Sequence, residues 1–178
     1  NAEILVDAWG FSSSDRLLHM LPIYHVHGLF VGISCVLMSG ASMSWHKSYN
    51  DDIAVTAMSK CTVMMGVPTY YTRLLSNHRF SSDCCQTMRL FISGSAPLLI
   101  ETFYQFQARC GHTILERYGM SETNMNTSNP LDGERKPGTV GTALPGVMLK
   151  IVSDEGHEVL PGDIGNLQVK GPNVFSGY

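Results

Sequence analysis

The chain has 178 residues, 44% of them hydrophobic and 15% charged, with a formal charge of −3. That length allows one domain with a sizeable core, or parts of two, and the composition fits a globular fold. The slight acidity leaves no electrostatic case for a nucleic-acid partner or an anionic membrane surface. The apolar stretch Leu29 to Met38 is well below the ~20 residues that span a bilayer.

In chain order, residues 1–10 read as the end of an amphipathic helix, Ser12 to Asp15 as a loop, and Arg16 to Leu21 as a short buried strand ended by Pro22. Gly28 to Met38 reads as an apolar helix closed by Ser39-Gly40, and Ala41 to Trp45 as a strand. Asn50 to Ser59 follows as a helix capped by Asn50 or Asp51. The run Thr62 to Pro68 is continuously apolar rather than alternating, which suits a strand covered on both faces of a parallel sheet. Thr69 is the expected cap of a helix to about Ser76. The unit then repeats as strand Met88 to Ser93, helix Leu98 to Cys110 and strand Thr113 to Tyr118. Such alternation predicts right-handed βαβ crossovers in an α/β layer.

After about Gly138 the character changes. Val147 to Val152, Glu158 to Leu160 and Asn166 to Lys170 are short strands split by Asp154-Glu155-Gly156 and Pro161-Gly162-Asp163, as in an antiparallel meander or small barrel. The expected division is therefore an α/β subdomain over 1–137 and a partial β-rich subdomain over 138–178. The cysteines Cys35, Cys61, Cys84, Cys85 and Cys110 contain no CxxC pair. They read as reduced thiols, mostly small core hydrophobes, in a reducing compartment. The chain starts without Met and stops on a turn-like Phe-Ser-Gly-Tyr, so it is expected to be cut from something longer.

Four segments could carry chemistry. Ser93-Gly94-Ser95-Ala96-Pro97 lies where a strand hands over to a helix, the place where open parallel sheets bind ligands. Its small residues would let a flat ligand approach the backbone; the alternative is an ordinary strand–turn–helix junction. Glu116 to Thr123, at another strand end, sets an aromatic, a glycine, two hydroxyls and a carboxylate within six residues, Tyr118 to Thr123. The hydroxyls suit phosphate oxygens and the carboxylate suits Mg²⁺, unless Ser121 is only a turn former and Glu122 a surface acid. Leu21 to Gly28 carries His25 and His27 at i, i+2, which on a strand would share a face. No further Cys or His pair stands at ligand spacing, so pocket or core-edge histidines fit better than zinc. Arg73, on a largely apolar helix, could fork onto a carboxylate or simply be solvated.

Taken in order, these segments resemble the adenylate-forming superfamily of AMP-forming acyl-CoA synthetases, luciferases and peptide-synthetase adenylation domains. Tyr118-Gly119-Met120-Ser121-Glu122-Thr123 resembles its characteristic internal motif, Gly94 to Pro97 the stretch beside adenine, and Gly165 to Tyr178 its GELxVxGxxVxxGY barrel motif, with Asn166 where Glu is common. LPIYHVHG, MGVPTYYTRLL, RLFISGSAPL and GHTILERYGMSETNMNTSNPLDGERKPGTVGTALPG are similar, almost end to end, to the malonyl-CoA synthetases.

The resemblance implies a two-step ligase. A carboxylate attacks the α-phosphate of ATP to give an acyl-adenylate and pyrophosphate, then CoA thiol displaces AMP. It assigns Ser121 to phosphate contact and Glu122 to Mg²⁺. Gly94, Ser95, Ala96 and Pro97, with Glu116, Arg117, Tyr118, Gly119 and Met120, would form the ATP/AMP site. Arg73 would meet the free carboxylate of malonate, while His25, His27, Ser93 and Met120 would line the acyl region, His27 with a catalytic part. The implied small molecules are malonate or methylmalonate, ATP with Mg²⁺, and CoA; the implied compartment is the cytoplasm, or the mitochondrion in a eukaryote. The family's phosphate loop and its mobile C-terminal domain are expected in flanking sequence, leaving this stretch inactive alone. A non-CoA adenylating module, a luciferase-like oxidase and a non-catalytic remnant would share several of the same motifs.

Overall fold

The computed structural model describes residues 1–178 throughout. Its frame is a seven-stranded sheet in the order β2-β1-β3-β4-β5-β6-β7. The first five strands are parallel: β1 (Arg16–His19), β2 (Ser42–Trp45), β3 (Val63–Gly66), β4 (Leu90–Ser93) and β5 (Ile114–Met120). All four residues of β3 and of β4 are buried, as their continuously apolar sequences require for strands covered on both faces.

Alternate residues feed two separate cores. Leu18, Met64, Phe91 and Ile114 point into one, covered by α3 (Asp51–Met58), α4 (Pro68–Ser76) and α5 (Ile100–Cys110). Leu17, Val63, Met65, Leu90, Ile92 and Leu115 point into the other, covered by α1 (Ala2–Ala8) and α2 (Ser34–Ser39). The result is a three-layer α/β/α arrangement, as the strand–helix alternation predicts. No helix is long and apolar enough to cross a membrane, and all five cysteines are free thiols, four of them buried.

Several local expectations need correction. The helix over Gly28 to Met38 opens as a π-helical stretch, His27–Ile33, before it tightens into α2. Asn50 does cap α3, its side chain accepting the Ile53 N–H. Thr69 does not cap α4: Pro68 takes the first helical position, where its missing N–H costs nothing, and Val67 stands before it without a side-chain cap. Glu158 to Leu160 is no strand but a single bridge from Glu158 to Val152.

Two strands went unread in the sequence. The chain reverses after Met120 into β6 (Asn124–Ser128), antiparallel to β5, and β7 (Thr142–Ala143) adds to its far side. The large sheet therefore runs past residue 138 to Ala143. The second sheet is the hairpin of β8 (Met148–Val152) and β9 (Asn166–Lys170).

Candidate functional site

From β1 the chain moves outward to β2, then returns to the other side of β1 as β3. Such a reversal leaves a crevice at the carboxyl ends of the strands, where open α/β sheets place their ligands. The structure has a cleft of about 520 Å³ there, lined by Pro22, His25, His27, Ser95, Arg117 and Ser121–Glu122, among others. A second cavity of about 480 Å³ adjoins it, lined by Ser93, Ser95–Leu98, Glu116–Gly119, Gly138 and Val140. Ser95, Arg117 and Gly119 line both.

The second cavity is a narrow slot between the loop after β4 and the end of β5. Ser95 holds a left-handed backbone with φ +70°, a conformation that a non-glycine residue keeps at a cost and that clusters at functional sites. Gly94 lies flat against Arg117: a Cβ there would sit 2.3 Å from the guanidinium carbon. The Glu116 carboxylate accepts the Gly138 N–H at 3.1 Å, and Asn129 donates to both the Glu116 and Thr139 carbonyls at 3.1 and 2.7 Å. These bonds fix the far wall of the slot. Burial raises the Glu116 carboxyl above its ordinary value.

Where the two cavities meet, the electrostatics are unusual. Arg117 is only 3% exposed, and its Nε and Nη2 have no hydrogen-bond partner. Burial lowers its guanidinium to about 10. An unpaired cation buried in a protein costs several kcal/mol, so this one fits an anion entering the cleft. Beside it His27, 5% exposed, offers Nδ1 to Ser95 Oγ at 3.3 Å while its Nε2 is buried without a partner. Burial first, then the charges of Arg117 and His19, drive His27 well below its usual value, so it is neutral near pH 7. His19, at the end of β1, is also buried with both ring nitrogens unpartnered and is lowered by burial.

The turn after β5 presents Ser121, exposed, and Glu122, half-buried. One Glu122 oxygen accepts a 2.7 Å hydrogen bond from the Tyr178 hydroxyl, which holds its carboxyl below the ordinary value. Nowhere do three His, Cys, Asp or Glu side chains stand close enough to cage a metal. A single free carboxylate oxygen could instead hold an ion such as Mg²⁺, which keeps several of its waters.

The structure thus brings together His27, Ser93, Ser95, Glu116, Arg117, Met120, Ser121 and Glu122. The shared strand face expected for His25 and His27 is absent, because the segment is a turn, but both line the cleft, His25 exposed and His27 buried at the start of the π-helical stretch. Arg73 lies outside the lining of both cavities. Its guanidinium is held 2.6 Å from Asp51 and packs 4.7 Å over the Tyr49 ring. Arg117, read from sequence only as part of the nucleotide site, is the unpaired buried cation. Nothing in a string of residues distinguishes it from Arg73; only burial does.

An α/β/α sheet with its cleft at the strand reversal, and a glycine-loop slot beside a Ser-Glu turn, is the arrangement of an open α/β domain that takes a small ligand at its strand ends. The comparisons agree. The whole chain, residues 1–178, matches the family described as AMP-binding enzyme, and the chain belongs to that family. It is similar to the ATP-bound structure of MatB from Rhodopseudomonas palustris, at 53% identity and TM-score 0.99, over all of this chain and 36% of that one. A malonyl-CoA ligase in ternary complex with methylmalonyl-CoA and AMP is 38% identical, with TM-score 0.89, over 99% of this chain and 39% of that one. The mitochondrial malonate–CoA ligase ACSF3 of Mus musculus is 37% identical over 214 residues, 98% of this chain and 36% of that protein. The chain therefore spans about a third of the length of such relatives.

Proposed function

We propose that the protein of which this chain is a part is an ATP-dependent acid–CoA ligase that activates malonate, or methylmalonate, through an acyl-adenylate. The observation that carries this reading is Arg117. A monocarboxylic acid brings only the carboxylate that reacts, which must stay free to attack the α-phosphate. A short diacid has a second carboxylate, and a guanidinium can take it in two parallel hydrogen bonds. The relatives named for malonate support the same substrate class.

In this reading the slot between Gly94–Pro97 and Glu116–Tyr118 holds the adenine, and its small residues let a flat ring lie against the backbone. Ser121 hydrogen-bonds a phosphate oxygen, and Glu122 holds the Mg²⁺ that neutralises phosphate charge. Neutral His27, with Nδ1 at Ser95 in the cleft wall, can donate or accept near the reacting carboxylate and α-phosphate without adding a charge. Positioning and charge neutralisation are the main work of such transfers. CoA completes the second half-reaction; its contacts are not assigned to residues of this chain. Arg73 is assigned no contact with the diacid, because Asp51 already engages it.

The test is acid-dependent pyrophosphate release by the intact protein with ATP and Mg²⁺, comparing malonate, methylmalonate, acetate and a long-chain acid. Malonate or methylmalonate is expected to dominate. A preference for acetate or the fatty acid would leave the adenylating chemistry but remove the diacid. No release with any acid would favour a non-catalytic binding role.

A further inference from the structure

The turn that carries Ser121 and Glu122 is strained and is held from outside. Asn124, which closes it, has φ +52°, in the left-handed region that a non-glycine residue adopts at a cost. Gly119 allows the reversal, since a Cβ there would lie 2.1 Å from the Asn124 carbonyl oxygen. Across this turn runs the segment after β9. Asn173 Nδ2 donates to the Thr123 carbonyl at 2.7 Å and to Asn126 Oδ1 at 3.0 Å. Asn126, fully buried, donates in turn to Thr123 Oγ1 at 2.8 Å. The Phe175 N–H donates to the Glu122 carbonyl at 2.8 Å, and the Tyr178 hydroxyl to the Glu122 carboxylate. The strap therefore grips Glu122 at its backbone and its side chain, and the next residue at its carbonyl.

We infer that Asn173 is a positioning residue for the metal-binding carboxylate. By holding Thr123 and Asn126 together it fixes the strained turn so that Glu122 presents its free oxygen toward a bound Mg²⁺–phosphate group. The inference rests on the proposed role of Glu122. The residue type follows from the bonding: both hydrogens of one amide nitrogen are used, each on a carbonyl oxygen. An aspartate of the same shape would set an acceptor against two acceptors, and a serine would reach neither well. Outer contacts of this kind fix the orientation of a metal ligand, and their loss usually weakens metal binding by roughly 10- to 100-fold.

A purely structural alternative is that Asn173 only joins the β8–β9 hairpin to the large sheet. Asn173→Asp and Asn173→Ser in the intact protein separate the two by two readouts. The first is the Mg²⁺ concentration for half-maximal malonate-dependent pyrophosphate release, expected to rise roughly tenfold or more, with the rate largely recovered at high Mg²⁺. The second is amide hydrogen exchange without substrate, expected to quicken at residues 121–124 while the β8–β9 ladder keeps its protection. An unchanged Mg²⁺ dependence with a lowered Tm, or equal loosening of turn and hairpin, would overturn the inference. If the unsubstituted protein releases no pyrophosphate with any acid, the ligase reading falls. The exchange pattern then decides alone whether the strap holds the turn.

Discussion

Arg117 and His27 share one wall of the cleft, and burial pushes both toward their neutral forms. For Arg117 the consequence is a conflict between stability and function. Replacing a buried unpaired cation with an apolar side chain of similar length is often stabilising, by about 1–4 kcal/mol. Arg117→Met is therefore expected to raise the denaturant midpoint, or leave it unchanged, while raising the KM for malonate roughly 10- to 100-fold. A variant that lost activity because it failed to fold would lower the midpoint instead. For His27 and His19 the consequence is a pH dependence. Their folded-state values lie below the ordinary 6.5, so below that pH the unfolded chain takes up protons that the folded chain refuses. Stability should fall as pH drops through 6.5 toward the folded values, by about 1.4 kcal/mol per pH unit for each histidine. Urea unfolding at pH 7 and pH 5.5 measures this, and His19→Phe should flatten the slope.

At the scale of elements, the end of the sheet opposite the cleft is held by one buried carboxylate. Asp15 is 3% exposed, accepts both Nε and Nη2 of Arg89 at 2.8 Å, and accepts Thr62 Oγ1 at 2.7 Å and the Ser12 N–H at 2.9 Å. Arg89 also donates to the carbonyls of Trp9 and Gly10, so this pair ties β1, β4 and the end of α1 together. Asp15→Ala should cost about 3 kcal/mol, because it removes one partner of a largely buried pair. Chemical denaturation measures it, and a loss under 1 kcal/mol would show the pair to be no more than a surface contact. The Asn50 cap is worth about 1 kcal/mol by the same measurement, read on Asn50→Ala.

The same scale shows what could be read without coordinates. β3 and β4 were legible because a short run of Val, Met, Leu, Phe and Ile between turn residues has few other fates in a chain of this composition. β6 was not. Its sequence, Asn-Met-Asn-Thr-Ser, has the polarity of a loop, yet four of its five residues are buried. Side chains distant in sequence satisfy two of them: Trp9 Nε1 donates to Ser128 Oγ, and Asn173 reaches Asn126. β7, with two residues, is too short to announce itself by any pattern. Among site residues, Ser95, Ser121 and Glu122 were visible as strand-end motifs. The burial that distinguishes Arg117 from Arg73 belongs to tertiary structure alone.

At the scale of the molecule, the parallel strands aim their carboxyl ends at one cleft, and the antiparallel return through β6 folds the Ser121–Glu122 turn over it. The segment after β9 then bonds to that turn through Asn173. Each layer thus contributes to one cleft: the glycine loop gives a flat slot, the turn gives the Glu122 carboxylate, and the cleft wall gives the one unpaired buried guanidinium. The central claim is that this guanidinium selects a diacid. The most direct measurement is malonate- against acetate-dependent pyrophosphate release by the intact protein and its Arg117→Met variant, at saturating ATP and Mg²⁺. The account predicts that the intact protein strongly prefers malonate and that the variant loses the preference while its KM for ATP stays unchanged. A variant that kept the preference for malonate, or lost affinity for ATP instead, would contradict it.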